Sequence, residues 1–127
     1  ATELFGVTFK PNKNIPVYHE EVIPYEVFDA DGKFLAVLYT DFHPRPGKQG
    51  GAWMNYFKGQ WKENGVDSRP HVVIVMNFTR PTETKPALLT FYEVETFMHE
   101  FGHALHGILA NSTYSSLSGT NVYRYFV

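Results

Sequence analysis

Between positions 91 and 109 the apolar residues Val94, Phe97, Met98, Phe101, Leu105 and Ile108 recur at three- and four-residue intervals, which predicts an amphipathic helix. Thr90-Phe91-Tyr92-Glu93 opens it as a capping box: the Thr90 hydroxyl can satisfy the Glu93 amide, and the Glu93 carboxylate can reach back. Upstream the period shortens to two. Tyr25-Glu26-Val27-Phe28 alternates as a strand should, Asp29-Ala30-Asp31-Gly32 is a turn cluster, and Lys33 to Phe42 follows as the second arm of a hairpin. His71 to Phe78 is the most apolar run of the chain and is expected as the central strand.

The remaining segments read as connections or edges. Ala1 to Phe5 reads as the tail of a helix stopped by Gly6, and Val7 to Lys10 as a short extended piece ended by Pro11. Positions 43–51 hold two prolines and three glycines, a loop without internal regularity. Ala52 to Phe57 is expected as a short edge strand, and Lys58 to Arg69 as polar and exposed. Prolines break the stretch 79–86, and after Ile108 small polar residues predict a loop able to close over a ligand. The expected fold class is therefore α+β: a small antiparallel sheet over about 7–80, packed on a helix over about 91–109, then a loop over 110–127.

Composition narrows the partners. A net charge of −2 without any basic block speaks against nucleic acid. No apolar run approaches the roughly 20 residues of a membrane span. The chain has no cysteine, so a metal would be held by histidine and carboxylate, and a cytoplasmic origin fits. The chain opens at Ala1 without a signal peptide and ends at Val127 without a terminating signal, so it reads as a partial domain truncated at both ends.

The helix carries the chemistry. His99-Glu100-Phe101-Gly102-His103 is an H-E-x-x-H string, and residues four apart on a helix share a face. His99 and His103 can thus offer two imidazole nitrogens to one metal ion, with Glu100 beside it as the candidate catalytic carboxylate that takes a proton from water. Catalytic zinc generally takes three protein ligands. His106 and Glu95 share the helix but converge poorly with the pair, and Asp41 or His43 would have to arrive from the hairpin. The reading places the third ligand outside this chain. His106 is expected to line the cleft or orient a ligand, and Gly102 to permit close approach of another segment. Gly50, Gly51, Ala52 and Trp53 are candidates for an edge that pairs with a substrate backbone. His19, His43 and His71 read as structural or surface residues, and Arg45 and Lys48 as a solvated loop.

His99-Glu100-Phe101-Gly102-His103-Ala104-Leu105-His106, preceded by Leu88-Leu89-Thr90, resembles the thimet oligopeptidase and peptidyl-dipeptidase family of zinc peptidases. Leu4 to Phe9, Glu26 to Asp29, Gly50 to Met54 and Asn77 to Thr79 resemble the same family, and Gly50-Gly51-Ala52-Trp53-Met54 is most similar to its dipeptidyl carboxypeptidase and oligopeptidase A branch. The resemblance implies a fragment of a larger, mostly helical, zincin-like peptidase that admits short peptides through a deep channel. It implies one zinc ion per site, Glu100 as the catalytic glutamate, and a third ligand glutamate just after Gly119-Thr120-Asn121-Val122, at the position following Val127. Tyr125 stands where that family's pattern has an aspartate, which puts in doubt a carboxylate orienting the ligands there. Such a fragment alone is expected to be inactive and, with aromatic faces uncovered, to self-associate. The alternative is a non-catalytic domain that binds metal or peptide.

Overall fold

The computed structural model describes residues 1–126; the side chain of Tyr125, and with it the expectation attached to that position, lies outside the described residues, as does Val127. A single turn, α1 (Thr2–Phe5), ends at Gly6 with φ 68°, the left-handed conformation that glycine adopts without cost. Seven strands follow: β1 (Thr8–Pro11), β2 (Ile23–Phe28), β3 (Phe34–Asp41), β4 (Trp53–Lys58), β5 (Trp61–Glu63), β6 (Val66–Ser68) and β7 (His71–Val75). The long helix α2 (Phe91–Ile108) comes next, and short 3-10 turns at Ser115–Leu117 and Arg124–Phe126 finish the chain.

The main sheet has the order β1-β2-β3-β7-β4, and β5 and β6 form a separate hairpin. The expected hairpin is the β2–β3 pair. The sheet is mixed rather than antiparallel, because β3 and β7 run parallel, Val37 opposite His71 through Asp41 opposite Val75. Between them the chain crosses over through β4 and the β5–β6 hairpin, so β7 re-enters in the direction of β3. The middle position therefore belongs to β3, with β7 beside it. β4 is an edge strand, and its outer side has no strand partner among the described residues.

The two faces of the sheet follow the pleat. Val27, Ala36, Leu38, Val72, Ile74 and Met76 share one core cluster with Ala104 and Ile108 of α2, and Phe97, Phe101 and Leu105 pack against it. Val37, Tyr39, Val73 and Val75 point the other way and pack with Val22, Ile15, Phe34 and Trp53. Ile74, Met76 and Ile108 are fully buried; each such side chain contributes about 1.5–3 kcal/mol. Not all of the apolar stripe on α2 is inside: Val94 is 43% and Met98 61% exposed, because Phe97, Ala104 and Ile108 define the direction of the sheet and these two point to its flank.

The segment 58–69, expected as exposed polar chain, folds back as β5–β6 around two polar anchors. Gln60 is 1% exposed and fully bonded: its Nε2 donates to Asp67 Oδ1 (2.9 Å) and the Ser112 carbonyl (3.0 Å), and its Oε1 accepts from the Ser112 amide (2.8 Å) and Ser118 Oγ (3.1 Å). Arg69 is the second anchor, joining β3 to the end of α2. Arg45 and Lys48 are likewise not a solvated pair. Arg45 grips Asp41 with both terminal nitrogens (2.7 and 2.9 Å), and Lys48 reaches the same carboxylate at 2.9 Å. Tyr18 donates to it as well, at 2.7 Å. A buried carboxylate needs such partners, and it is their cluster that folds the proline-rich loop onto the end of β3.

Candidate active site

The helix start is fixed before the motif begins. Glu93 Oε2 accepts from the Thr90 amide (2.7 Å), Thr90 Oγ1 accepts from the Glu93 amide (3.2 Å), and Glu93 Oε1 accepts from both the amide (2.7 Å) and hydroxyl (3.0 Å) of Thr79. The capping box thus also ties α2 to the chain leaving β7. Backbone donors from Thr90 and then Thr79 hold the Glu93 carboxyl down at about 2.

Two turns further on, His99 Nε2 and His103 Nε2 stand 3.0 Å apart, with ring planes at 87°. Ligand nitrogens in a tetrahedral zinc site are separated by about 3.3 Å, given bonds near 2.0–2.1 Å. Two imidazole nitrogens converging at such a distance form a donor pair suited to one borderline-soft cation. Glu100 lies on the inward side of them, 9% exposed, and carries no hydrogen bond among the described residues. Among the described residues no cluster of three or more His, Cys, Asp or Glu side chains suited to a metal occurs. The donors present fit two of the positions of a histidine-carboxylate zinc site.

The three residues open into a cleft of about 630 Å³. One wall is the start of β4, Ala52, Trp53 and Met54; the other is the terminal segment, Thr120, Val122 and Arg124. The free edge of the sheet therefore runs beside the histidine pair. Gly50 and Gly51 do not line the cleft; they lead into β4, with Gly51 at φ 94° and its carbonyl bound by Asn77 Nδ2 at 2.8 Å. His106 and Gly102 lie elsewhere, in a groove with Phe5, Leu105, Leu109 and Leu117. The reason is angular: they sit on the exposed side of α2, away from the sheet. Nothing lies within 4 Å of a Cβ built on Gly102. Asp41, whose oxygens are already engaged, and His43 line neither cavity. His71 has a depressed pKa, from burial first and the nearby Lys58 second.

Three supports of this site have no local signal in sequence. Arg69 and Gln60 bond to residues about forty to fifty positions away, and Tyr56 reaches across to Thr120.

Comparison with known proteins now bears on the motif. A family model for Peptidase family M3 matches residues 1–127. The chain belongs to Peptidase family M3. Among relatives in this family, a dipeptidyl carboxypeptidase of Salmonella typhimurium is 47% identical over 127 residues, covering 100% of this chain and 18% of the relative. An oligopeptidase A of Escherichia coli is 38% identical over 117 residues, 91% of this chain and 17% of the relative. A thimet-like oligopeptidase of Dictyostelium discoideum is 40% identical over 129 residues, 98% of this chain and 19% of the relative. The chain therefore spans less than a fifth of the length of these M3 relatives, and no helix among its described residues is long and apolar enough to cross a membrane.

Proposed function

We propose that this chain is part of the catalytic region of a zinc-dependent peptidase that hydrolyses short peptides, as an oligopeptidase or a peptidyl-dipeptidase. The observation that carries the reading is the convergence of His99 and His103 at 3.0 Å beside Glu100, inside a cleft walled by the free edge of β4. His99 and His103 would hold zinc, with a third ligand supplied from outside the chain. When bound, zinc supplies Lewis acidity, polarising a peptide carbonyl and making water a stronger acid near neutral pH. Glu100 would accept the proton of the attacking water and return it to the departing amine. Its low exposure keeps the carboxylate out of bulk water.

Ala52 and Trp53 would pair with an extended substrate, since an edge strand offers unpaired amides and carbonyls that any peptide can match. That mode favours short, flexible peptides, and the Trp53 side chain packs on the far face of the sheet. The isolated chain, with two metal ligands, is inactive in this reading, and a cytoplasmic setting is compatible with its cysteine-free donor set. The test is Glu100→Gln in a family-length protein carrying this segment. Peptide hydrolysis should fall by about 10²–10⁴-fold while zinc content is unchanged; undiminished hydrolysis would remove Glu100 from the mechanism.

A further inference from the structure

At Thr120 the cleft wall opposite β4 is tied to the sheet by one phenol. Tyr56 lies on the side of β4 that faces α2, and its hydroxyl accepts hydrogen bonds from the Thr120 amide (3.0 Å) and the Thr120 hydroxyl (3.1 Å). The same ring covers two glycines. A Cβ on Gly107, in the last turn of α2, would stand 2.7 Å from the ring, and one on Gly119 would overlap the hydroxyl. Gly119 also packs against the Gly107 backbone, where its Cβ would come within 3.2 Å of the Gly107 Cα, and has φ 59°. Helix, strand and terminal segment thus meet at a point where only glycine fits on two sides and only a hydroxyl satisfies the third. Thr120 is the first residue beyond this junction, and it lines the cleft with His99, Glu100 and His103.

We propose that Tyr56 is a positioning residue for peptide binding at the histidine pair, acting through Thr120; this rests on the peptidase reading above. The phenol sets the distance between the Thr120 wall and the β4 edge, and hence the width available to a peptide beside Glu100. Tyr56 itself does not line the cleft. Its effect is confined to where Thr120 stands. A part-buried backbone amide bonded to a phenol oxygen has no protein partner of equal reach once the oxygen is removed, so the bend at Gly119 loosens while the strand stays paired.

The experiment compares the chain with Tyr56→Phe, Thr120→Val and the double variant. Amide hydrogen exchange is read first, without metal. Tyr56→Phe should speed exchange of the Thr120 amide by about tenfold and leave the β4 and β7 amides unchanged. Unchanged exchange at Thr120 overturns the proposal whatever the metal does. Zinc is then added, and the affinities for zinc and for leucine hydroxamate are measured separately. The expected result is zinc affinity within about twofold and hydroxamate binding weaker by about five- to tenfold in Tyr56→Phe, with the double variant no worse than either single change. Parallel losses in zinc affinity, hydroxamate binding and thermal stability would make Tyr56 a general structural residue and overturn the positioning role. A wild-type chain that takes up no zinc would instead count against the peptidase reading, leaving the exchange result to decide on Tyr56.

Discussion

Arg69 donates through Nη2 to the carbonyl of Ile108 at 2.7 Å, the last residue of the helix that carries the histidine pair. The same guanidinium bonds the Ala110 carbonyl at 3.0 Å and, through Nε, the Leu35 carbonyl at 2.7 Å. The last carbonyls of a helix have no partner within it, and one planar cation here satisfies two carbonyls at that end and ties it to β3. Arg69→Ala leaves these carbonyls and Asp67 short of donors, with an expected loss of about 3 kcal/mol. Urea unfolding measures this, and Arg69→Lys should restore less than half, because an ammonium cannot span the same acceptors.

The two glycines of α2 separate packing from propensity. Gly107→Ala places a Cβ 2.7 Å from a Tyr56 ring that Thr120 pins, so it should cost about 1–3 kcal/mol. Gly102→Ala meets open space and gains helix propensity, so it should stabilise the isolated chain by up to about 1 kcal/mol. Thermal melts of both variants check the contrast; equal effects would contradict it.

Acid should unfold the chain chiefly through Asp41 and Glu93, the most depressed of its carboxyls. Burial opposes ionisation of Asp41, but hydrogen bonds from Arg45, Lys48 and Tyr18 outweigh it and hold the group well below its ordinary 3.8. Glu93 is held at about 2, against an ordinary 4.5. Both are depressed in the folded state, so their contribution is complete above the ordinary values and fades as pH falls through the folded ones. Urea midpoints should therefore drop between about pH 5 and about pH 2. Asp41→Asn should flatten part of that decline while costing about 3 kcal/mol at neutral pH, because Arg45 and Lys48 lose their counter-charge.

These contacts mark what the sequence could and could not disclose. Thr90 and Glu93 sit three apart, the β2–β3 arms flank a five-residue connection, and the histidines are one helical turn apart. Each is a local relation, and each was legible. The parallel register of β3 on β7 was not, because Val37 and His71 are joined by a crossover whose course no periodicity encodes. Gln60 and Arg69 looked like surface residues since their partners, Ser112 and Ile108, are remote in sequence. The burial of Asp41 was hidden for a different reason: its partners are close in sequence, but a loop with two prolines resembles solvated chain.

Phe91, at 84% exposure, and Met98, at 61%, leave one flank of α2 apolar and open, and Phe126 is 78% exposed. Apolar surface of this kind drives association. Sedimentation velocity should show reversible, concentration-dependent association of the isolated chain, reduced in the Phe91→Glu, Met98→Glu double variant. A strictly monomeric wild-type chain would contradict this.

The most direct test of the account is the zinc affinity of the chain by chelator competition at neutral pH, beside His99→Ala, His103→Ala and Glu100→Gln. The account predicts one weak site per chain, lost in either histidine variant and retained in Glu100→Gln. Binding that survives loss of His99 or His103 would contradict the assignment of the helix pair as the metal-holding residues.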